Sequence, residues 1–259
     1  MLCVLTIVIC VIFVAHRAFA QQRYDREAAL AVSQAALGGS LGEYVLRDTD
    51  GRPFRLAALR GRPLVVSLIY TSCHHVCPLI TRNLAHTVDI AREALGANAF
   101  SVITVGFDWQ VDTPDRMRMY AAERGIDVDG WYFLSGDADT ITALSRDVGF
   151  QYFPSMKGFD HLSQVTVVDG GGRVYRQVYG QDFEPPAVVE PLKELVFDTP
   201  REAGLIEHWT DSFKLFCTVY DPNTGRYRFD YSIFMVILTG TLSLGAIAVF
   251  IAREWRRAK

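Results

Sequence analysis

One stretch of the chain decides the fold: Pro63-Leu-Val-Val-Ser-Leu-Ile-Tyr-Thr-Ser-Cys-His-His-Val-Cys-Pro78. Its first half, Pro63–Tyr70, is a continuous apolar and largely β-branched run, which is typical of a central strand covered on both faces. Over Pro78–Leu95 the apolar residues recur every three or four positions, and this spacing predicts a helix. Cys73 and Cys77 are therefore expected where a buried strand passes into a helix.

Outward from this stretch, strands and helices alternate. The other predicted elements, in chain order, are a helix over Arg23–Leu37, a strand at Tyr44–Leu46, a strand at Phe100–Phe107, a helix capped by Thr113 and running to about Glu123, a strand at Trp131–Leu134, a helix at Asp137–Val148, a strand at His161–Val168, a Gly170-Gly171-Gly172 turn into a strand at Val174–Tyr179, and a helix at Pro186–Val196. Strands that alternate with helices and end in an antiparallel pair indicate an α/β architecture with a mixed sheet.

Both ends of the chain are strongly apolar. Leu2–Ala15, followed by Ala18-Phe19-Ala20, predicts a secretory signal peptide cleaved after Ala20. Because no positive charge precedes this run, an uncleaved signal anchor is the alternative. Tyr231–Ala252 carries no charge and is long enough to cross about 30 Å of hydrocarbon, so it predicts a C-terminal transmembrane helix. The alternative is a buried core helix.

The residues that follow this apolar segment orient the chain. The tail 253–259 has four basic residues and one acidic residue, which places it in the cytoplasm by the positive-inside rule. The main domain is then expected on the periplasmic side of the inner (plasma) membrane. The predicted division is signal peptide 1–20, helical lead-in 21–40, main domain 41–200, membrane-proximal extension 201–230, transmembrane helix 231–252 and cytoplasmic tail 253–259.

The charge balance and the motifs exclude several classes of function. The 259 residues include 26 basic and 29 acidic side chains, a net charge of −3. Proteins that bind nucleic acid normally have a clear basic excess, so we expect no such partner. The sequence also has no glycine-rich nucleotide loop, no serine nucleophile elbow and no paired-carboxylate signature.

The cysteines direct attention to metal or redox chemistry. Of five cysteines, two lie in the presumed signal, and the other three are too few for a disulfide framework. A helix N-terminus favours thiolate over thiol. Because Cys73 and Cys77 are four residues apart on a first helical turn, both sulfurs can meet at one ion or form a disulfide. Two thiolates suit Cu(I) and, less selectively, Zn²⁺.

A third ligand is needed to complete such a site, and His161 is the candidate. It follows Phe159-Asp160 and is predicted to begin the strand before the final hairpin. In a sheet of this topology the loop that enters this strand lies beside the helix end with the cysteines. The alternative is a purely structural histidine, which is the commoner role of an isolated one.

In combination, several motifs resemble those of the Sco/SenC family of copper proteins over roughly Leu41–Val196. The motifs are Asp48-Thr-Asp-Gly-Arg-Pro-Phe54, Gly61–Pro78, Asp108 with Asp112-Thr113-Pro114, Phe159-Asp160-His161 and Val167-Val168-Asp169. The resemblance implies a thioredoxin-like fold, a mixed sheet flanked by helices. It implies copper, as Cu(I) and also as Cu(II), bound by Cys73, Cys77 and His161.

The resemblance also implies a function. Members of the family serve assembly of the binuclear copper centre CuA in cytochrome c oxidase subunit II, so the expected partners are that subunit and an upstream copper donor. The first hypothesis is a metallochaperone without turnover. The alternative is a membrane-tethered thiol–disulfide oxidoreductase in which Cys73 and Cys77 are the redox pair. A peroxidase is a third possibility, but no arginine is evidently placed beside the cysteines.

Three residues depart from the family pattern or stand outside it. His74 and His75 lie between the cysteines, where the family commonly has a pair such as Pro-Asp. They either offer further ligands and tune the thiols, or are solvated loop residues. Cys217 is either a small buried apolar residue or a third sulfur that resolves a Cys73–Cys77 disulfide or forms an intermolecular bridge.

Overall fold

The computed structural model describes residues 24–73, 76–198, 218–221, 226–229 and 232–257. The predicted signal peptide, His74, His75, His208 and Cys217 lie outside these residues. The helices are α1 Arg26–Ala35, α2 Val76–Leu95, α3 Pro114–Glu123, α4 Ala138–Asp147, α5 Pro186–Asp198 and α6 Ser232–Arg257, with a short 3-10 helix at Leu56–Leu59. The strands are β1 Val45–Arg47, β2 Pro53–Arg55, β3 Leu64–Ile69, β4 Ser101–Gly106, β5 Trp131–Leu134, β6 Tyr152–Ser155, β7 Gly158–His161, β8 Gln164–Val168, β9 Val174–Tyr179, β10 Thr218–Asp221 and β11 Arg226–Phe229.

A five-stranded mixed sheet forms the centre of the fold, with strand order β5-β4-β3-β8-β9. Strands β3, β4 and β5 run parallel, whereas β8 pairs antiparallel with both β3 and β9. Every residue of β3, β4 and β8 is buried, as expected for strands covered on both faces. The prediction of an α/β fold with a mixed sheet is confirmed.

Side-chain caps define the N-termini of two of the helices. Thr113 caps α3, and its side chain accepts the Arg116 N–H, while Pro114 occupies the first helical position. Asp137 caps α4 in the same way and accepts the Thr140 N–H. Helix α3 packs on β5, and α5 packs on α2, β8 and β9.

The topology brings three separate chain segments to one edge of the sheet. Because β3 and β4 are parallel, with Ile69 opposite Gly106, the loops that follow them leave at the same edge. Strand β8 runs the other way, with Val165 opposite Ser67, so the chain enters β8 at that edge too. The loop with Cys73, the loop after β4 and the segment that ends at His161 therefore meet.

One element boundary was predicted wrongly, and it concerns the site. His161 does not begin the strand that joins the central sheet. It ends β7, which forms a separate two-stranded hairpin with β6, in which Tyr152 lies opposite His161. This hairpin was missed because Pro154, Lys157 and Gly158 interrupt the apolar pattern and only short strands flank them.

The predicted C-terminal transmembrane helix at 231–252 is also corrected. In the part of the chain that the structure describes, no helix combines the length and the apolar character that crossing a membrane requires. The helix found there, α6, extends over Ser232–Arg257. Thr239, Thr241 and Ser243 interrupt its apolar residues and its last turns are charged, whereas a spanning helix needs about 20 predominantly apolar residues in succession.

Candidate metal centre

The two cysteines lie at the junction of β3 and α2, as predicted. The Cys73 N–H donates to the Tyr70 carbonyl at 3.2 Å, which closes a tight turn directly after the strand. Cys77 follows in the first turn of α2, and both residues are buried, with 7% and 1% of their surfaces exposed. No disulfide joins Cys73 and Cys77.

The two cysteine side chains lie close to one another. The Cys77 N–H donates to Cys73 Sγ at 3.4 Å, as expected for a sulfur that accepts at a helix N-terminus. A hydrogen bond to Cys73 and burial both raise the pKa of the Cys77 thiol. The arrangement has the proximity that disulfide formation requires, and it presents two soft donors at one place.

A buried carboxylate, Asp112, fixes the loop that leads to the cysteines. One oxygen of Asp112 accepts the Thr71 N–H at 2.8 Å and the Thr71 hydroxyl at 2.7 Å, and the other accepts the Asp108 N–H at 3.0 Å. Burial raises the pKa of Asp112, and these three hydrogen bonds act in the opposite direction. Asp112 thus connects Asp108, which follows β4, to Thr71, which lies two residues before Cys73.

The sequence contains a pattern that indicates the role of Asp112, although the predictions did not use it. Asp108 contributes its backbone N–H to this arrangement, and Asp112 contributes the carboxylate. Gly106 permits this, because a Cβ atom there would lie 2.4 Å from Asp112 Cβ. A glycine at the end of a buried strand, followed by two aspartates, is the pattern that can be read in advance.

The hydrogen bonding of His161 defines a tautomer of the imidazole that suits a metal ligand. Its Nδ1 lies 2.8 Å from the Leu162 carbonyl oxygen. Because a carbonyl can only accept, Nδ1 carries the hydrogen and Nε2 keeps a free lone pair, which is the usual arrangement of metal-binding histidines. Burial lowers the pKa of His161, while the Leu162 carbonyl and the Cys73 sulfur act in the opposite direction.

Aromatic rings surround the imidazole. Its centroid lies 5.3 Å from that of Phe150, 5.5 Å from Phe107 and 5.9 Å from Tyr70. These rings pack the hairpin β6–β7 onto the sheet edge and exclude water from one side of His161. The hairpin is therefore held against the segment with Cys73 by packing as well as by chain connection.

The structure brings some of the predicted ligands close together but does not form a complete metal-binding site among the described residues. The Cys77 N–H donates to the Cys73 sulfur, and Cys73 is near enough to His161 to influence its pKa. Across the described ranges, no three His, Cys, Asp or Glu side chains are gathered closely enough to hold a metal ion. The assignment of Cys73, Cys77 and His161 as copper ligands stays a prediction. His86 is exposed on α2, away from them in the chain.

Comparison with known proteins agrees with this architecture. The family model described as SCO1/SenC matches residues 34–196, more than half of the chain. The chain belongs to the SCO1/SenC family. A curated relative, the SCO1 protein homolog of Bacillus subtilis strain 168, is 28% identical over 147 residues, which cover 55% of this chain and 75% of the relative.

Solved structures of SCO1/SenC proteins share the fold. A SCO1/SenC family lipoprotein from Bacillus anthracis is 24% identical, with a TM-score of 0.56 over 61% of this chain and 96% of that one. Copper-bound ScoI from Arabidopsis thaliana is 20% identical, with a TM-score of 0.52 over 61% and 97%. BsSco, described as having a disulfide switch and as a member of the Sco family of cytochrome c oxidase assembly proteins, is 22% identical, with a TM-score of 0.53 over 62% and 95%. At these identities the likeness establishes the thioredoxin-like Sco fold.

Proposed function

We propose that this SCO1/SenC protein is a metallochaperone that binds copper through Cys73, Cys77 and His161. The observation that carries the proposal is the hydrogen bond from His161 Nδ1 to the Leu162 carbonyl, since disulfide exchange has no need of an imidazole with a free Nε2. Two thiols and one imidazole form a donor set that Cu(I) accepts readily. Copper is the cargo here and not a resident cofactor.

A metallochaperone must release its cargo as well as bind it. A site of two thiolates and one imidazole leaves copper with room for an exchangeable fourth ligand. Thiolates of the acceptor then replace the ligands one at a time, so that copper is never free in solution.

The proposed acceptor is the CuA centre of cytochrome c oxidase subunit II, supplied after an upstream donor has loaded the protein. Support comes from the family: copper-bound ScoI has the same fold, and BsSco is described as belonging to a family of oxidase assembly proteins. We further propose that the domain works outside the cytoplasm. A SCO1/SenC lipoprotein with this fold and the apolar N-terminal run both support that location.

Copper binding to the purified full-length chain tests the proposal. After anaerobic reduction, the wild type is expected to bind one copper per chain, and Cys73→Ala and His161→Ala are each expected to weaken binding at least tenfold. His86→Ala removes an exposed histidine of α2 and serves as the matched control, with wild-type binding expected. Equal binding by wild type and His161→Ala would contradict the three-ligand site.

A second function is favoured by one specific observation. Cys73 and Cys77 are not joined by a disulfide, and the Cys77 N–H donates to the Cys73 sulfur at 3.4 Å, so the two residues are close enough to act as a redox pair. The protein would then reduce the cysteines of the oxidase copper site, and BsSco, described as having a disulfide switch, lends support. His161→Ala separates the two roles. Loss of oxidase assembly with unchanged disulfide reactivity supports the chaperone, whereas intact assembly supports the reductase.

A further inference from the structure

The outer edge of the central sheet is formed by β5, which comes last in the strand order and pairs with β4 on its inner side. The backbone groups of successive residues in a strand point to alternate edges. The Val102 N–H donates to the Gly130 carbonyl at 2.8 Å, and this bond sets the even-numbered residues of β5 toward β4. The backbone groups of Trp131, Phe133 and Ser135 therefore point outward.

Strand β1 covers one end of this outer edge and then departs from it. Its last residue, Arg47, exchanges two backbone hydrogen bonds with Ser135, at 2.8 and 2.9 Å, in an antiparallel bridge. The next hydrogen-bonded position of such a pair is two residues away, at Phe133. The chain turns away at this point, since the Gly51 N–H donates to the Asp48 carbonyl. Among the described residues, the backbone N–H and C=O of Phe133 have no hydrogen-bond partner.

A cavity of about 520 Å³ lies beside this open part of the edge. It is lined by Trp131 and Phe133 of β5, by Thr49 in the turn where β1 departs, and by Ala122 of α3. At about 3.3 Å per residue, an extended segment of about four residues would match the length of β5. An open sheet edge beside a groove is the arrangement to which peptides bind by adding a strand.

The charges around the cavity indicate what kind of segment would bind there. Asp48, Asp127 and Asp129 line the cavity together with a single basic residue, Arg118. Arg118 already forms an ion pair with Asp115. In the part of the chain that the structure describes, no basic side chain forms an ion pair with the three lining aspartates. Such an excess of carboxylates favours a cationic partner.

We propose that the outer edge of β5 binds an extended segment of a partner protein that carries lysine or arginine, and that this segment adds a strand beside Phe133. The sheet edge and the cavity define the site, and the carboxylates define the charge of its occupant. None of Cys73, Cys77 and His161 lines the cavity, so this surface is separate from the candidate metal centre. The inference goes beyond the proposed function and does not depend on copper.

A peptide of defined sequence tests the site on the full-length chain. The probe is a hexapeptide of alternating lysine and valine with blocked termini, which can pair as a strand. Its controls are the glutamate–valine hexapeptide and spermidine, which carries the charge of the probe without peptide groups. In calorimetric titrations the probe is expected to bind about tenfold more tightly than either control. Binding no tighter than that of spermidine would overturn the proposal, because charge alone would then explain it.

A substitution that fills the groove locates the binding. Ala122 is exposed on α3 and lines the cavity, so Ala122→Arg introduces a long cationic side chain there and is expected to weaken probe binding about tenfold. Ala31→Arg makes the same change at an exposed position of α1 outside the cavity lining, and is expected to match the wild type. Equal binding by the wild type and both variants would overturn the proposed location.

Hydrogen exchange tests for the added strand itself. The Phe133 amide is expected to exchange about tenfold more slowly with the probe bound and to be unaffected by spermidine, because only the peptide supplies a carbonyl acceptor. Unchanged exchange would contradict strand addition. If Ala122→Arg accelerates exchange of the Phe133 amide without any probe, a segment of this chain or a second copy already fills the groove, and the proposal of a separate partner is wrong.

Discussion

Asp112 shows how a single side chain can set the geometry of a site that it does not enter. Its carboxylate is 1% exposed and accepts three hydrogen bonds from Thr71 and Asp108. Burial of a carboxylate is unfavourable, and these donors offset part of that cost. The result is a fixed loop between β3 and Cys73, which supports the position of the thiol in addition to its own burial in the core.

Replacing Asp112 by alanine is expected to loosen this loop. The change leaves three donors without an acceptor, and such losses cost about 1–3 kcal/mol each when the donors stay buried. Because Thr71 and Asp108 are only partly buried, we expect the lower end of this range, a fall of about 3 kcal/mol in the free energy of unfolding, and we expect Cys73 to react faster with iodoacetamide. Urea denaturation and timed alkylation measure the two effects.

Asp108→Ala is the matched control for that experiment. Asp108 donates its backbone N–H to Asp112, and this bond does not depend on its side chain. The variant is expected to alkylate at the wild-type rate. Equal acceleration in both variants would show that general loosening of the loop, and not the Asp112 carboxylate, controls access to Cys73.

At the scale of elements, helix α4 depends on its cap. Asp137 accepts the Thr140 N–H at 2.8 Å, and this hydrogen bond lowers the pKa of the Asp137 carboxyl. A carboxyl whose pKa is lowered on folding stabilises the folded state above its unfolded pKa, near 4. That contribution is lost as the pH falls through the folded pKa.

Asp137→Ala is therefore expected to destabilise the protein by about 1 kcal/mol at pH 7. The difference from the wild type should shrink as the pH falls below about 4, because the wild-type cap is then protonated. Thermal unfolding at a series of pH values measures this. Asp139→Ala removes a carboxylate from the same helical turn without removing the cap, and a loss of equal size would contradict the capping argument.

For the whole molecule, a cluster of aromatic side chains joins the sheet to the hairpin. Phe107 is fully buried, and its ring lies 4.6 Å from Tyr152, 5.2 Å from Phe150 and 5.5 Å from His161. These partners come from distant parts of the chain, and only the folded sheet brings them together. Packing around Phe107 thus contributes both to stability and to the position of a predicted ligand.

Phe107→Ala is expected to lower the free energy of unfolding by about 3–5 kcal/mol and to weaken copper binding. Phe100→Ala is the matched control, because Phe100 is equally buried but precedes β4, at the far edge of the sheet. It should destabilise the fold to a similar extent and leave copper affinity unchanged in the folded protein. Denaturation curves and copper titration measure the two quantities. Equal losses of copper affinity would contradict a local role for Phe107.

Local patterns were sufficient to predict much of the fold. The buried runs around β3 and β4, the helical spacing of α2 and the cap of α3 each depend on residues within one element, so their periodicity can be read directly. The cysteine pair was placed correctly for the same reason. The C-terminal segment was predicted wrongly as a membrane span, because its lack of charge was considered without Thr239, Thr241 and Ser243, which interrupt its apolar residues.

The sequence by itself determined the mixed α/β architecture, the position of Cys73 and Cys77 at a strand–helix junction, and membership of the SCO1/SenC family. Only the tertiary structure decided that His161 ends a separate hairpin, that Asp112 secures the cysteine loop, and that Phe107 packs against His161. The physical reason is that the last two contacts join residues roughly 40 to 55 positions apart in the sequence. Such contacts leave no periodicity in the chain, since they depend on how the elements pack and not on how each one forms.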